Sequence, residues 1–181
     1  MQADTALLDD ARKMNKDALA KIFDLYAPAL YNYALRFCND TLTADQIVGD
    51  VFAKLLDHLS AGHGPGKNLR SYLFEATYHL LVDDARYSHR RAPLEVIDFS
   101  RNDGYSADLR LENQILFETV LRIIQHDLTD YQRHVIILRF LEGFSLPETA
   151  AILGKSLNVV KAAQHHAIMS LRKAVDLQVA I

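Results

Sequence analysis

Ser145-Leu146-Pro147-Glu148-Thr149-Ala150-Ala151-Ile152-Leu153-Gly154-Lys155-Ser156-Leu157-Asn158-Val159-Val160-Lys161 decides how this chain is read. A serine followed three residues later by glutamate has the capping-box form, and a proline in the first turn lacks only a donor that a helix start leaves unused. The short helix so opened carries Ala150, Ala151 and Ile152 and ends at Leu153-Gly154. Gly154-Lys155-Ser156 then makes a turn, and Ser156 caps a second helix running to about Val175. Val159, Val160, Ala163, Ala167, Ile168 and Leu171 share one side of it. Two helices joined by a short glycine-containing turn form the helix-turn-helix pattern, whose second helix is free to enter a major groove. From Lys155 to Lys173 there are four lysines and arginines and no carboxylate. His165 and His166 add positive charge when protonated. A phosphate backbone requires such a local patch. A plain helical hairpin closing a bundle has the same periodicity, and the pattern by itself leaves that alternative open.

Working outward, helices are expected nearly throughout. Thr129-Asp130-Tyr131-Gln132 is a second capping box, opening a helix through Val135, Ile136, Leu138 and Leu141 to Gly143. Before it, residues 112–127 place Ile115, Leu116, Leu121, Ile123 and Ile124 at helical spacing. Residues 92–111 lose periodicity. They hold Glu95, Asp98, Asp103 and Asp108 against two arginines, with a turn signal at Asn102-Asp103-Gly104, and read as a linker. Further upstream, Ala18 to Phe37 carries Leu19, Ile22, Phe23, Tyr26, Leu30, Tyr33 and Ala34 on one face, with Pro28 expected to kink or split it. Thr43-Ala44-Asp45-Gln46 has the capping-box form and precedes Ile47, Val48, Val51, Phe52, Leu55, Leu56 and Leu59. Gly62-His63-Gly64-Pro65-Gly66 is expected to be a flexible loop. Leu69 to Arg86 is a helix with Leu69, Tyr72, Leu73, Ala76 and Leu80 inward, running into His89, Arg90 and Arg91 before Pro93 stops it. The expected fold is all-α: a helical domain over 1–91, a linker over 92–111 and a helix-turn-helix domain over 112–181.

Composition supports this and excludes much else. The 181 residues are 50% apolar and 24% charged, with only seven glycines and four prolines, which favours long helices over many short strands. No apolar run approaches the roughly 18–20 residues that span a bilayer, and the first residues lack a basic segment followed by an apolar one. A cytoplasmic protein is expected. A single cysteine, Cys38, excludes an internal disulfide and a cysteine-rich zinc site. The formal net charge is −3, so any nucleic-acid binding must come from local patches. His79 and Asp83 stand four apart but lack a third ligand at helical spacing, and His165-His166 are adjacent and so point apart. No glycine-rich phosphate loop, nucleophile elbow or catalytic constellation is present, and no cofactor or metal is expected.

The stretch from Ile137 to Ser156 resembles region 4 of the bacterial sigma-70 family. The amino-terminal half resembles region 2. Phe23-Asp24-Leu25-Tyr26 and Ala44 to Leu55 resemble its first helices, and Leu69 to Arg91 resembles its promoter-melting helix. Two such domains with a short linker are similar to the extracytoplasmic-function (ECF) type of sigma factor. The resemblance covers about residues 15–91 and 112–175. It implies a non-enzymatic subunit that binds core RNA polymerase and directs it to promoter DNA. Asp45, Gln46, Asp50, Phe52 and Lys54 match the segment that docks on the polymerase clamp. Asp45, Gln46 and Asp50 also lie off the apolar stripe, where a solvated acidic face is the alternative. In the family, the −10 element is read as single strand, with a base flipped into a pocket made by a loop and the helix after it. Here those are 62–70 and 71–91. Tyr72 and Tyr78 are candidate stacking surfaces, His79 a hydrogen-bonding group, and Lys67, Arg70, Arg86, Arg90 and Arg91 phosphate contacts. The −35 element would be read as duplex through Ser156, Asn158, Lys161, Ala162, His165, His166 and Arg172. An anti-sigma partner is also commonly implied by the family.

Three departures stand out. Tyr72 occupies a position that is commonly tryptophan, and Tyr78-His79 replaces the usual arginine-asparagine. The recognition helix usually reads glycine-threonine-valine-lysine-serine-arginine, where this chain has Asn158-Val159-Val160-Lys161-Ala162-Ala163. His166 stands where a further arginine is common. These departures leave two alternatives in view, a sigma-like decoy and a stand-alone helix-turn-helix regulator.

Overall fold

The computed structural model describes residues 2–66, 68–88 and 120–179, and every regular element among them is helical. The elements are α1 (Gln2–Arg12), α2 (Lys16–Cys38), α3 (Thr41–Ser60), α4 (Leu69–Ser88), α5 (described over 120–126), α6 (Asp130–Ile136), a π turn (Ile137–Leu141), α7 (Leu146–Ile152) and α8 (Leu157–Val179). The protein is all-α. The chain sorts into two compact units, Met1–Pro93 with Ala151–Gly154, and Leu94–Ala150 with Lys155–Ile181. The linker expected over 92–111 and the first turns of the expected 112–127 helix lie outside the described residues.

In the first unit α2, α3 and α4 pack mutually, and α1 packs on α2 and α3. α2 starts where Asn15 accepts a hydrogen bond from the Ala18 N–H at 3.0 Å. It ends where Asn39, at φ +54°, donates its N–H to the Leu35 carbonyl. This is ordinary capping at both ends. Pro28 neither ends nor splits α2. It sits on the exposed face, where water can satisfy the carbonyl one turn back that loses its donor. α3 does not begin with the Thr43–Gln46 capping box. Asp40 caps it instead, accepting from the Thr43 N–H at 3.0 Å and from the Thr43 hydroxyl. Those bonds hold the Asp40 carboxyl below its usual pKa.

The core joins Leu8 of α1, Ile22, Leu30 and Tyr33 of α2, Val51 and Leu55 of α3, and Leu73, Phe74 and Leu81 of α4. The Tyr33 and Phe74 rings stack with centroids 5.6 Å apart. Each large apolar side chain so buried contributes about 1.5–3 kcal/mol. α4 is rotated from the expected phase. Leu69, Leu73, Phe74, Thr77 and Leu81 are buried, whereas Tyr72, Ala76 and Leu80 are only partly covered. Burying the Phe74 ring outweighs burying Tyr72, whose hydroxyl needs a partner. Thr77 can enter the core because its hydroxyl donates to the Leu73 carbonyl at 2.8 Å.

In the second unit α6 lies against α8. Ile124, Leu128, Ile136 and Ala167 form its apolar centre, flanked by Val120, Ile168 and Leu171. Thr129 and Gln132 close both bonds of the expected capping box. After Ile136 the helix widens, and the Glu142 N–H reaches back five residues to the Ile137 carbonyl at 2.9 Å. Gly143 at φ +73° ends it, and the Phe144 N–H returns to the Leu138 carbonyl. Arg139 ties this turn down. Its Nε donates to Gln164 Oε1 of α8 at 3.0 Å, and its Nη1 donates to the Phe144 carbonyl.

Candidate nucleic-acid interface

The helix-turn-helix segment has the expected local chemistry. The Ser145 N–H donates to Glu148 Oε2 at 2.8 Å and the Glu148 N–H to Ser145 Oγ at 3.3 Å, completing the capping box of α7. Gly154 takes φ +59°, a conformation that glycine adopts without penalty. The Ser156 hydroxyl accepts the Val159 N–H at 3.4 Å and so caps α8. α8 turns Val160 and Ala167 inward and leaves Asn158, Lys161, Ala162, His165, His166 and Arg172 exposed. Ser156 is exposed beside them. Six of the seven candidate −35 contacts therefore share the outer surface of one helix, and the seventh caps it. Val159, expected inward, is 46% exposed, and Leu157 beside it is exposed as well. Val160 and Ala167 complete the buried stripe without it. The start of the helix thus offers apolar side chains along with Asn158 and Lys161.

On the first unit, Asp45, Gln46, Asp50 and Lys54 are exposed on α3. Phe52 is half-buried and meets Phe23 of α2 with ring centroids 4.8 Å apart. Phe23, expected in the core, is 48% exposed, and Leu56 is exposed on the same helix as Phe52. The apolar periodicity of α2 and α3 therefore contains both a core face and a part left at the surface, which periodicity alone does not separate.

The turn between α3 and α4 is tied down rather than loose. Gly62 takes φ +73°, and the His63 N–H closes on the His58 carbonyl at 2.8 Å. Gly64 lies so near Leu59 that a Cβ there would come within 2.5 Å of Leu59 Cδ2, and Pro65 is buried. Next to it, the Tyr72 hydroxyl shares a 2.6 Å hydrogen bond with His58 Nδ1 across α3 and α4. Burial, then the nearby Glu75 carboxylate, raise the Tyr72 pKa, so the hydroxyl keeps its proton. His58 had no signal in the sequence, because its role depends on α3 and α4 being side by side. Arg70 is half-buried with its guanidinium 5.4 Å from the centre of the Phe74 ring. Tyr78 is half-buried against the His79 ring, and His79 is exposed with Nε2 3.9 Å from Glu75 Oε1. The Arg86 side chain, Lys67, Arg90 and Arg91 lie outside the described residues.

Two family models match this chain in order. Sigma-70 region 2 matches residues 22–91 and sigma-70 region 4 matches residues 126–173. The chain belongs to the sigma-70 family, in its ECF group. Among its relatives, the ECF RNA polymerase sigma factor BldN of Streptomyces coelicolor is 25% identical over 173 residues, 92% of this chain. This chain spans 64% of the length of BldN. The RNA polymerase sigma factor YlaC of Bacillus subtilis is 27% identical over 164 residues, covering 88% of this chain and 92% of YlaC. The solved structure of CnrH, in complex with the cytosolic domain of CnrY, superposes with a TM-score of 0.69 at 25% identity, covering 97% of this chain and 98% of CnrH. No described helix of this ECF sigma factor is long and apolar enough to cross a membrane.

Proposed function

We propose that this ECF sigma factor binds core RNA polymerase in the cytoplasm and directs it to a class of promoters. The observation that carries this reading is the pair of region 2 and region 4 matches in sigma order, together with a carboxylate-free outer face on α8. Residues 1–91 are assigned to polymerase docking and −10 capture, 92–111 to a linker, and 112–181 to −35 reading.

On α3, Asp45, Gln46, Asp50 and Lys54 form an exposed polar strip beside the half-buried Phe52, suited to a partner helix bearing arginines. The −10 strand is assigned to the α3–α4 turn and the outer side of α4. Tyr72 and Tyr78 offer ring faces for stacking, His79 a hydrogen-bonding edge, and Arg70 and Arg86 positive charge, joined by Lys67, Arg90 and Arg91. A base leaving the duplex loses a few kcal/mol of stacking and pairing, which ring faces and edge contacts recover. The −35 duplex is assigned to α8, with Lys161 and Arg172 on phosphates and Asn158 and Ala162 toward base edges. The mechanism is recognition and strand capture. It involves no bond chemistry on this chain and no cofactor.

The likeness to CnrH, a structure solved with CnrY bound, supports an anti-sigma partner for this chain too. The deciding experiment is a pull-down of core RNA polymerase with the purified protein, followed by run-off transcription on a genomic promoter library. Binding with a selective set of transcripts is expected. Polymerase binding without transcripts would convert the reading to a decoy, and no binding would leave a stand-alone DNA-binding protein.

A further inference from the structure

The turn assigned to −10 reading is held by a residue well outside it. Arg12, the last residue of α1, places Nη2 2.7 Å from the Pro65 carbonyl oxygen and 2.7 Å from the Gly66 carbonyl oxygen, donating to both. Its other terminal nitrogen, Nη1, donates to Asp9 Oδ1 one helical turn back at 2.7 Å. The planar guanidinium is thus anchored at one end by its own helix and spends its other end on two consecutive carbonyls, a fork that suits arginine and not lysine. From the opposite direction, Leu59 of α3 presses on Gly64 with no room for a Cβ. The turn is therefore fixed from two sides, by the end of α1 and by the end of α3, with Pro65 buried.

We infer that Arg12 is a positioning residue for −10 base selection, setting the shape of the 61–66 turn without touching the base itself. This rests on the assignment of that turn to the −10 strand. Four observations converge on it: two carbonyls of the turn captured by one nitrogen, the Asp9 anchor, the closeness of Gly64 to Leu59, and α1 packed on both α2 and α3. A direct phosphate contact is the competing role for an arginine at the surface. It predicts different behaviour, because phosphate contacts act alike on all sequences and weaken with salt.

The test uses the full-length protein bound to core polymerase. Open-complex formation is measured on promoters carrying each of the four bases at every −10 position, for wild type, Arg12→Ala, Arg12→Lys and Gly64→Ala. The expected result is that Arg12→Ala lowers the best-to-worst base ratio about tenfold, the scale of losing charge-assisted hydrogen bonds. Arg12→Lys recovers only part of it. Gly64→Ala, which removes no charge, reproduces the flattening by pushing the same turn off Leu59. Polymerase affinity and −35 duplex affinity stay at wild-type values for all three. Arg12→Ala with the wild-type base profile overturns the inference, as does a uniform, salt-dependent loss over all bases that Arg12→Lys fully restores. A wild-type protein indifferent to every −10 base would instead remove the assignment beneath it.

Discussion

Lowering the pH should loosen the second unit through one side chain, His134 on α6. It is 2% exposed. Burial, and then the neighbouring Arg133 guanidinium, push its pKa from the ordinary 6.5 to about 3. The folded protein therefore carries a neutral imidazole at pH 7 and at pH 5, while the unfolded chain takes up a proton near 6.5. Wherever the unfolded state binds more protons, stability falls as pH falls. The window runs from about 6.5 down to about 3, below which both states are protonated and the loss is complete. Between pH 7 and pH 5 the linkage comes to about 2 kcal/mol, and over the whole window to about 5 kcal/mol. The assay is native-state hydrogen exchange of amides in α6 and α8, corrected for the intrinsic rate, because it reads this unit without requiring the whole chain to unfold together. His134→Leu is the control, since it keeps an apolar volume and removes the titration. Wild type should lose about 2 kcal/mol more protection than His134→Leu between pH 7 and pH 5. Equal losses in the two proteins would refute the reasoning, since every other histidine titrates alike in both.

Three further outcomes follow from the geometry. Asp40→Ala removes the cap of α3 and should destabilise the first unit by about 1 kcal/mol, read as a lower urea midpoint; an unchanged midpoint would mean that Thr43 or water replaces the carboxylate. Cys38, whose thiol is pushed up from 9.0 to about 11 by burial before all else, should react with iodoacetamide at pH 7 roughly a hundredfold more slowly in the folded protein than in urea. Comparable rates would show that the thiol is not desolvated. Lys161→Glu should weaken −35 duplex binding and reduce the salt slope by about one, the signature of one lost phosphate contact; a steeper slope or an unchanged affinity would take Lys161 out of the interface.

The legible parts of the fold are those written in local chemistry. Thr129 with Gln132 and Ser145 with Glu148 are self-contained devices, and both helices start where those residues stand. Asp40 was harder to find because Thr43-Gln46 offers the same motif three residues later. The acid supplies the stronger acceptor, and its bond satisfies the Thr43 N–H that the other reading needed. α1 left almost no pattern to read, with Leu8 and Ala11 its fully buried apolar residues. Its place is decided by α2 and α3. The candidate interface divides the same way. The exposed residues of α8 follow from a helical period and two buried small residues. The Tyr72–His58 bond and the Arg12 fork join residues 14 and more than 50 positions apart, and no spacing rule reaches across those distances.

The widened turn at Ile137–Leu141 has a consequence for how relatives of this protein are aligned and edited. A π turn is an α-helix holding one residue more than its hydrogen bonds need, and each residue advances the helix by about 100°. Ile137 and Leu138 are buried while Phe140, two places on, is 54% exposed. That division depends on the surplus residue as much as on the side chains. Deleting one residue here would let an ordinary helix re-form and would swing everything from Phe140 to Gly143 about a quarter-turn around the axis. A single-residue gap between two family members in this stretch is therefore a rotation of the surface, and the two proteins can present different side chains to a partner while their sequences remain otherwise alike.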